Sequence, residues 1–125
     1  MKRNLLITQK ISVHLTTPGL KVLLVFDKIE LKEIYEQGYS ENRKFWFQPE
    51  VIKQYIKIIN ILLAIEKIEE LYQIKSLHFK KLLGSKFALQ SIRINNKYRL
   101  ECIISYDIYV LVGKILSISN HYKSC

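Results

Sequence analysis

The chain has little of what usually staples or punctuates a small protein. Its 125 residues include two cysteines, two prolines and four glycines. Two cysteines, Cys102 and Cys125, make neither a disulfide framework nor a zinc site. Cys102 falls in a strand pattern and Cys125 is the last residue, so both read as reduced thiols, which fits a reducing compartment. Long apolar runs are missing too. The longest, around Ile58 to Ile65, is broken by Asn60 and falls far short of the roughly 20 residues a membrane-spanning helix needs. At the start, Met1-Lys2-Arg3-Asn4-Leu5-Leu6-Ile7 carries charge and then apolar residues. Thr8, Gln9 and Lys10 end that run well before a signal-peptide core is complete, so no export signal is expected. No Walker-type glycine loop occurs, nor any His/Asp/Glu cluster at metal-ligand spacing. The sharpest absence is of acid: from Leu71 to Leu100 there are seven Lys or Arg and no Asp or Glu.

What is present reads as one globular domain. Hydrophobic residues make up 49% and charged residues 25%, and a chain of this length buries a core without disulfides or metal. Twenty basic against eleven acidic residues give a net charge of +9. Such a balance favours a polyanionic partner, nucleic acid first and an anionic membrane surface second, although a basic soluble protein need have neither.

Residues 1–20 lack strong periodicity and end in the turn signal Thr16-Thr17-Pro18-Gly19, so they read as an N-terminal extension with one strand around Ile11 to Leu15. The domain proper, 21–125, opens on Val22-Leu23-Leu24-Val25-Phe26, a buried-strand run. Asp27 and Glu30 form a capping-box-like pair ahead of a helix with Leu31, Ile34 and Tyr35 on one face, and Gly38 supplies its left-handed stop. Pro49 suits the first turn of a second helix, where Val51, Ile52, Tyr55, Ile58, Ile59, Leu62 and Ile65 recur at helical spacing. Beyond Ile68–Tyr72, a short helical turn, strand patterns take over. They cover Ser76 to Leu82 weakly, then Leu89 to Asn95, Tyr98 to Tyr106 and Ile108 to His121, with a bulge expected at Gly113. The order implies an α+β fold with an antiparallel sheet.

In the first hairpin of that sheet the apolar faces match only if Ile94 pairs with Tyr98 and Ile92 with Leu100. A three-residue loop, Asn95-Asn96-Lys97, follows, and such a loop calls for a left-handed residue, which Asn tolerates. The same register sets Arg93 across from Arg99. Facing like charges cost roughly 0.2–1 kcal/mol at a sheet surface. A phosphate between two guanidiniums reverses that sign, whereas the bland alternative leaves both solvated with Glu101 or another acid nearby. The last strand puts Ser117, Ser119 and His121 on one face, so His121 ends it on the polar side. His121 is the first candidate for proton transfer and His78, beside Lys80 and Lys81, the second; a lone histidine is also compatible with a purely structural or solvated role. With so little acid in the basic half, a nuclease here is expected to work without divalent metal. RNA allows this because its own 2′-hydroxyl can attack the adjacent phosphate, given a proton acceptor, a donor and cations.

The segment Leu82 to Cys102, with its Leu-Leu-Gly loop and Ser91-Ile92-Arg93-Ile94-Asn95-Asn96-Lys97-Tyr98-Arg99-Leu100 core, resembles HigB-type toxins of the RelE superfamily. Ser119-Asn120-His121-Tyr122-Lys123 is similar to their histidine-containing end, and the resemblance spans about residues 21–123. It implies a RelE-like α+β fold, a twisted antiparallel β-sheet with two or three α-helices packed on one face. It further implies the toxin of a bacterial type II toxin–antitoxin pair, a cytoplasmic, metal-independent and cofactor-free endoribonuclease that cuts mRNA on the ribosome. Its partner would be a HigA-like helix-turn-helix antitoxin. Carried over by position, His121 would be the general acid or base, Arg93 and Arg99 would hold the scissile phosphate, and Lys80, Lys81, Lys97, His78 and Tyr98 would contact RNA. Ala88 stands where relatives of that type often carry a second glycine, and Asn120 where they often place an acidic or aromatic residue. The competing expectations are a non-catalytic RNA- or DNA-binding module and a protein-interaction module that uses the long helix.

Overall fold

A computed structural model describes residues 10–17, 20–84, 88–107 and 110–120. Strands β1 (Lys10–Thr17) and β2 (Leu20–Phe26) lead into helices α1 (Ile29–Gln37), α2 (Pro49–Ala64) and α3 (Glu69–Gln73). Strands β3 (Lys80–Lys81), β4 (Gln90–Arg93), β5 (Tyr98–Asp107) and β6 (Val110–Asn120) follow, and short 3₁₀ turns occupy Arg43–Phe45 and Lys75–Leu77. The six strands form one sheet in the order β1-β2-β6-β5-β4-β3. The fold is therefore α+β, as the element order implies, but the sheet is mixed and not purely antiparallel. The last strand returns to lie parallel to β2, with Lys21 opposite Val110 and Phe26 opposite Ile115. A parallel pair needs a long crossover, and everything from α1 to β5 supplies it. Lys10–Thr17, inside the segment expected to be an extension, is the antiparallel edge strand beside β2.

The helices cover one face of the sheet. Leu31 and Ile34 of α1 and Val51, Tyr55, Ile58, Ile59, Leu62 and Leu63 of α2 are buried against Val22, Leu24, Phe26, Ile92, Leu100, Cys102, Ile104, Leu111 and Ile115. Each such aliphatic side chain contributes on the order of 1.5–3 kcal/mol before conformational entropy opposes it. Tyr55 enters this core because its hydroxyl donates to the Leu31 carbonyl at 2.8 Å. Burial pushes its phenol well above the ordinary range, with the nearby Tyr35 adding to the effect. Burial likewise pushes the Cys102 thiol up to about 12, with Glu101 as the second cause.

Three local expectations need correction. The residue capping α1 is Lys28, whose side chain makes no cap bond, so Asp27 is not the N-cap; its backbone N–H is drawn instead to the Ile115 carbonyl at 2.8 Å. Gly38 does end α1 in the left-handed conformation, at φ 90°, and its N–H reaches the Ile34 carbonyl at 2.9 Å. Gly113 is not the bulge, since the register breaks between Glu101 and Cys102. Its role is close approach: a Cβ there would stand 2.8 Å from Leu24 Cδ2. Nor is Ser76 to Leu82 one strand. The 3₁₀ turn Lys75–Leu77 and a left-handed His78 consume most of it, leaving two residues paired with β4.

Candidate nucleic-acid interface

The β4–β5 hairpin takes the register that its alternation demands. Ile92 faces Leu100 on the core side and Arg93 faces Arg99 on the open side. The Ile94 and Asn95 N–H groups both donate to the Tyr98 carbonyl, at 3.0 and 3.1 Å, which closes the loop. The loop does so without a left-handed residue, contrary to expectation: among the described non-glycine residues, only His78 and Ala88 have positive φ. Asn95 replaces backbone chirality with side-chain chemistry. Its Oδ1 accepts from the N–H groups of Lys97 at 2.9 Å and Tyr98 at 2.8 Å, an Asx-type turn. The Arg93 guanidinium donates to the Asn96 amide oxygen, which steadies it over the open face.

His78 approaches the same place from another element. It ends the Lys75–Leu77 turn at φ 46° and ψ 45°, with its N–H on the Lys75 carbonyl at 3.1 Å. Leu77 and Phe79 on either side are buried, so the backbone is pinned there and the exposed imidazole is turned outward. A bulky left-handed residue costs energy, and structures tolerate that most often where the side chain has a task. Lys80 then pairs with Ser91. Together His78, Lys80, Ser91, Arg93, Asn95, Asn96 and Arg99 line an open concavity of about 250 Å³. None of the seven carries a carboxylate. Glu101, two residues beyond Arg99, is held by the hydroxyls of Ser117 and Ser119, each at 3.1 Å.

Of the residues singled out from sequence, Arg93, Arg99, Lys80 and His78 meet in this concavity. Lys81 does not: it pairs with Gln90 and alternates to the other side. Tyr98 also belongs to the helix-covered face, where its ring meets Phe47 edge-on at 5.3 Å, because alternation groups it with Leu100 and Cys102 and not with Arg99. Lys97 sits at the hairpin tip, its ammonium 5.5 Å from the Tyr98 ring centre. His121 lies outside the described residues. Sequence reasoning missed Ser91, Asn95 and Asn96 as lining residues. The two amides could have been suspected from the predicted loop, but Ser91 joins only through the non-local pairing with Lys80.

Chemically, the concavity offers two guanidiniums, an ammonium, an imidazole, a hydroxyl and two amides, and no acid is among the residues that line it. That set suits an anion whose oxygens accept several charge-assisted bonds, and it puts an imidazole beside them. Among the described residues there is no group of three or more His, Cys, Asp or Glu side chains placed to hold a metal ion, and no helix long and apolar enough to cross a membrane. No family model, no curated protein and no solved structure matches the chain.

Proposed function

We propose that this protein is the toxin of a bacterial type II toxin–antitoxin pair, a RelE-like, cytoplasmic, metal-independent endoribonuclease acting on mRNA in the ribosome. The observation that carries the reading is the facing pair Arg93 and Arg99 on the open side of the sheet, in one concavity with His78 and Lys80. Two guanidiniums across a strand pair are unfavourable alone and favourable around a phosphate. In this reading they neutralise the phosphorane that forms when the RNA 2′-oxygen attacks phosphorus and the 5′-oxygen leaves. A proton acceptor takes the 2′-hydroxyl proton and a donor supplies the leaving oxygen, with His121 as the first assignment for one of these tasks. A HigA-like antitoxin would neutralise the activity by binding.

Brief induction of the gene without an antitoxin, followed by mapping of new RNA 5′ ends, tests this. New ends inside translated codons, lost in Arg93→Ala and in His121→Ala while both variants remain folded, are the expected result. Undiminished cleavage by both variants would remove the catalytic assignment. Tight, salt-sensitive RNA binding without new ends would identify a non-catalytic binder.

A further inference from the structure

We propose that the buried hydroxyl of Ser91 is the floor ligand of the concavity, a donor held ready for one oxygen of the phosphate that Arg93 and Arg99 bind. The inference rests on the reading of the concavity as an RNA-phosphate site and adds to it a binding residue that carries no charge.

Ser91 is a short side chain among long ones. Its cross-strand partners are Lys80 in β3 and Glu101 in β5, and Arg93 follows two residues on, on the same face of β4. A short residue so surrounded forms the bottom of a hollow. Ser91 lines the concavity and is only 3% exposed, whereas Lys80 and Arg93 beside it are exposed. Other buried polar residues are satisfied inside the fold. The Ser40 hydroxyl donates to the Glu33 carboxylate at 2.9 Å, and the Gln90 amide bonds the Ile104 backbone in both directions, at 2.7 and 3.4 Å. The Ser91 hydroxyl makes no hydrogen bond to any described residue. Buried polar groups nearly always have a partner, and one without asks for an explanation such as a ligand.

The surroundings explain why the proton of this hydroxyl is left over. Lys80, Arg93 and Arg99 only donate. The Asn95 amide oxygen is engaged by the N–H groups of Lys97 and Tyr98, and that of Asn96 by the Arg93 guanidinium. The Glu101 carboxylate is turned toward β6, where Ser117 and Ser119 donate to its two oxygens. His78 brings an imidazole nitrogen, but no hydrogen bond joins it to Ser91. An oxyanion supplies the missing acceptor. Its oxygens take the hydroxyl proton and the guanidinium N–H groups together, and such charge-assisted bonds are the strong ones. Ser91 also sets depth. An oxygen that meets it has to come down between Lys80 and Arg93, and these cationic walls favour a phosphate over a base at that level.

The test uses full-length protein and two probes, inorganic sulfate and a 2′-O-methyl dinucleotide, whose single phosphodiester cannot be cleaved by its own 2′-oxygen. Affinities are read by NMR titration, and melting is recorded without ligand. We expect Ser91→Ala to weaken both probes about ten-fold, the effect of losing one hydrogen bond to a charged group. Its ligand-free melting temperature should equal or exceed that of the wild type, because the lost hydroxyl had no partner in the fold. Ser91→Thr keeps the hydroxyl and suits a strand, so it should retain most of the affinity. If Arg93→Gln abolishes binding while Ser91→Ala binds like the wild type, Ser91 is no ligand and the concavity reading survives. Equal losses in Ser91→Ala and Ser91→Thr, or a clear drop in the ligand-free melting of Ser91→Ala, would assign Ser91 to packing and overturn the inference. If neither probe binds, or Arg93→Gln changes nothing, the concavity reading falls and takes the inference with it. Sulfate bound through Ser91 without the dinucleotide would keep the floor ligand and remove RNA from the site.

Discussion

Replacing Arg93 by Gln should separate the stability of the sheet from its response to anions. Arg93 and Arg99 are cross-strand partners on the open face. Facing like charges at a sheet surface repel by roughly 0.2–1 kcal/mol, and screening at physiological salt reduces that. Arg93→Gln removes this repulsion and loses the exposed bond to Asn96, a contribution of similar size, so the ligand-free variant should match the wild type within roughly 0.5 kcal/mol. An oxyanion changes the comparison. At ten times its dissociation constant, phosphate or sulfate stabilises the folded state by RT ln 11, about 1.4 kcal/mol. For 125 residues the unfolding entropy is about 0.26 kcal/mol/K, so the wild-type Tm should rise by about 5 °C. Arg93→Gln should rise by about 1 °C or less, and Lys57→Gln, an exposed charge on α2, should rise like the wild type. Scanning calorimetry in phosphate against chloride at equal ionic strength reads all three. Equal shifts in all would mean that the anion responds to net charge alone, and the paired-guanidinium argument would be lost.

Four further outcomes follow from the packing. Tyr55→Phe removes the buried hydroxyl's bond to the Leu31 carbonyl and should cost about 1 kcal/mol in urea unfolding. Gly113→Ala presses a methyl group against Leu24, itself buried, and should cost about 1–3 kcal/mol by the same measurement. Ala88→Gly, at φ 57°, should stabilise by up to about 1 kcal/mol, because relief of the left-handed strain exceeds the added freedom of the unfolded chain. Cys102 governs the alkaline limb. Its folded thiol titrates at about 12 against an ordinary 9.0, so its contribution is complete below pH 9 and is lost as pH rises toward about 12, because the unfolded chain ionises first. Cys102→Ala should flatten stability over that range. In a Cys125→Ser background, iodoacetamide at pH 8.5 should label the wild-type thiol only at the rate of unfolding.

Alternation carried most of what could be foreseen. The pairing of Ile92 with Leu100 and Arg93 with Arg99 was legible because a one-residue slip would bury an arginine and expose an isoleucine. The long helix was legible from its three- and four-residue spacing, and Pro49 marked its first residue. What stayed hidden was non-local. Nothing in Val22–Phe26 says that its partner is the last strand, or that the two run parallel. Nothing in Leu77-His78-Phe79 announces a left-handed histidine, because the signal is the burial of both neighbours and not a turn residue. Tyr98 was placed with the RNA contacts although the same alternation that found the arginines puts it on the opposite face. That placement carried over a position and not its parity.

Parity also explains how one hairpin can serve a tight core and a charged surface together. Along β5, Leu100, Cys102 and Ile104 are sealed beneath the helices, while Arg99, Glu101 and Ile103 between them keep partial exposure on the other side. Along β4, buried Ile92 precedes exposed Arg93. The backbone that holds the arginines apart is thus fixed by side chains that never meet the ligand, and Phe47 against Tyr98 locks its far end. Substitutions at core-side positions should therefore damage folding first and anion binding only as a consequence. Those at Arg93 and His78 should alter binding in a protein that melts almost normally. A site built this way has its two arginines facing each other in register on a backbone that the core already fixes.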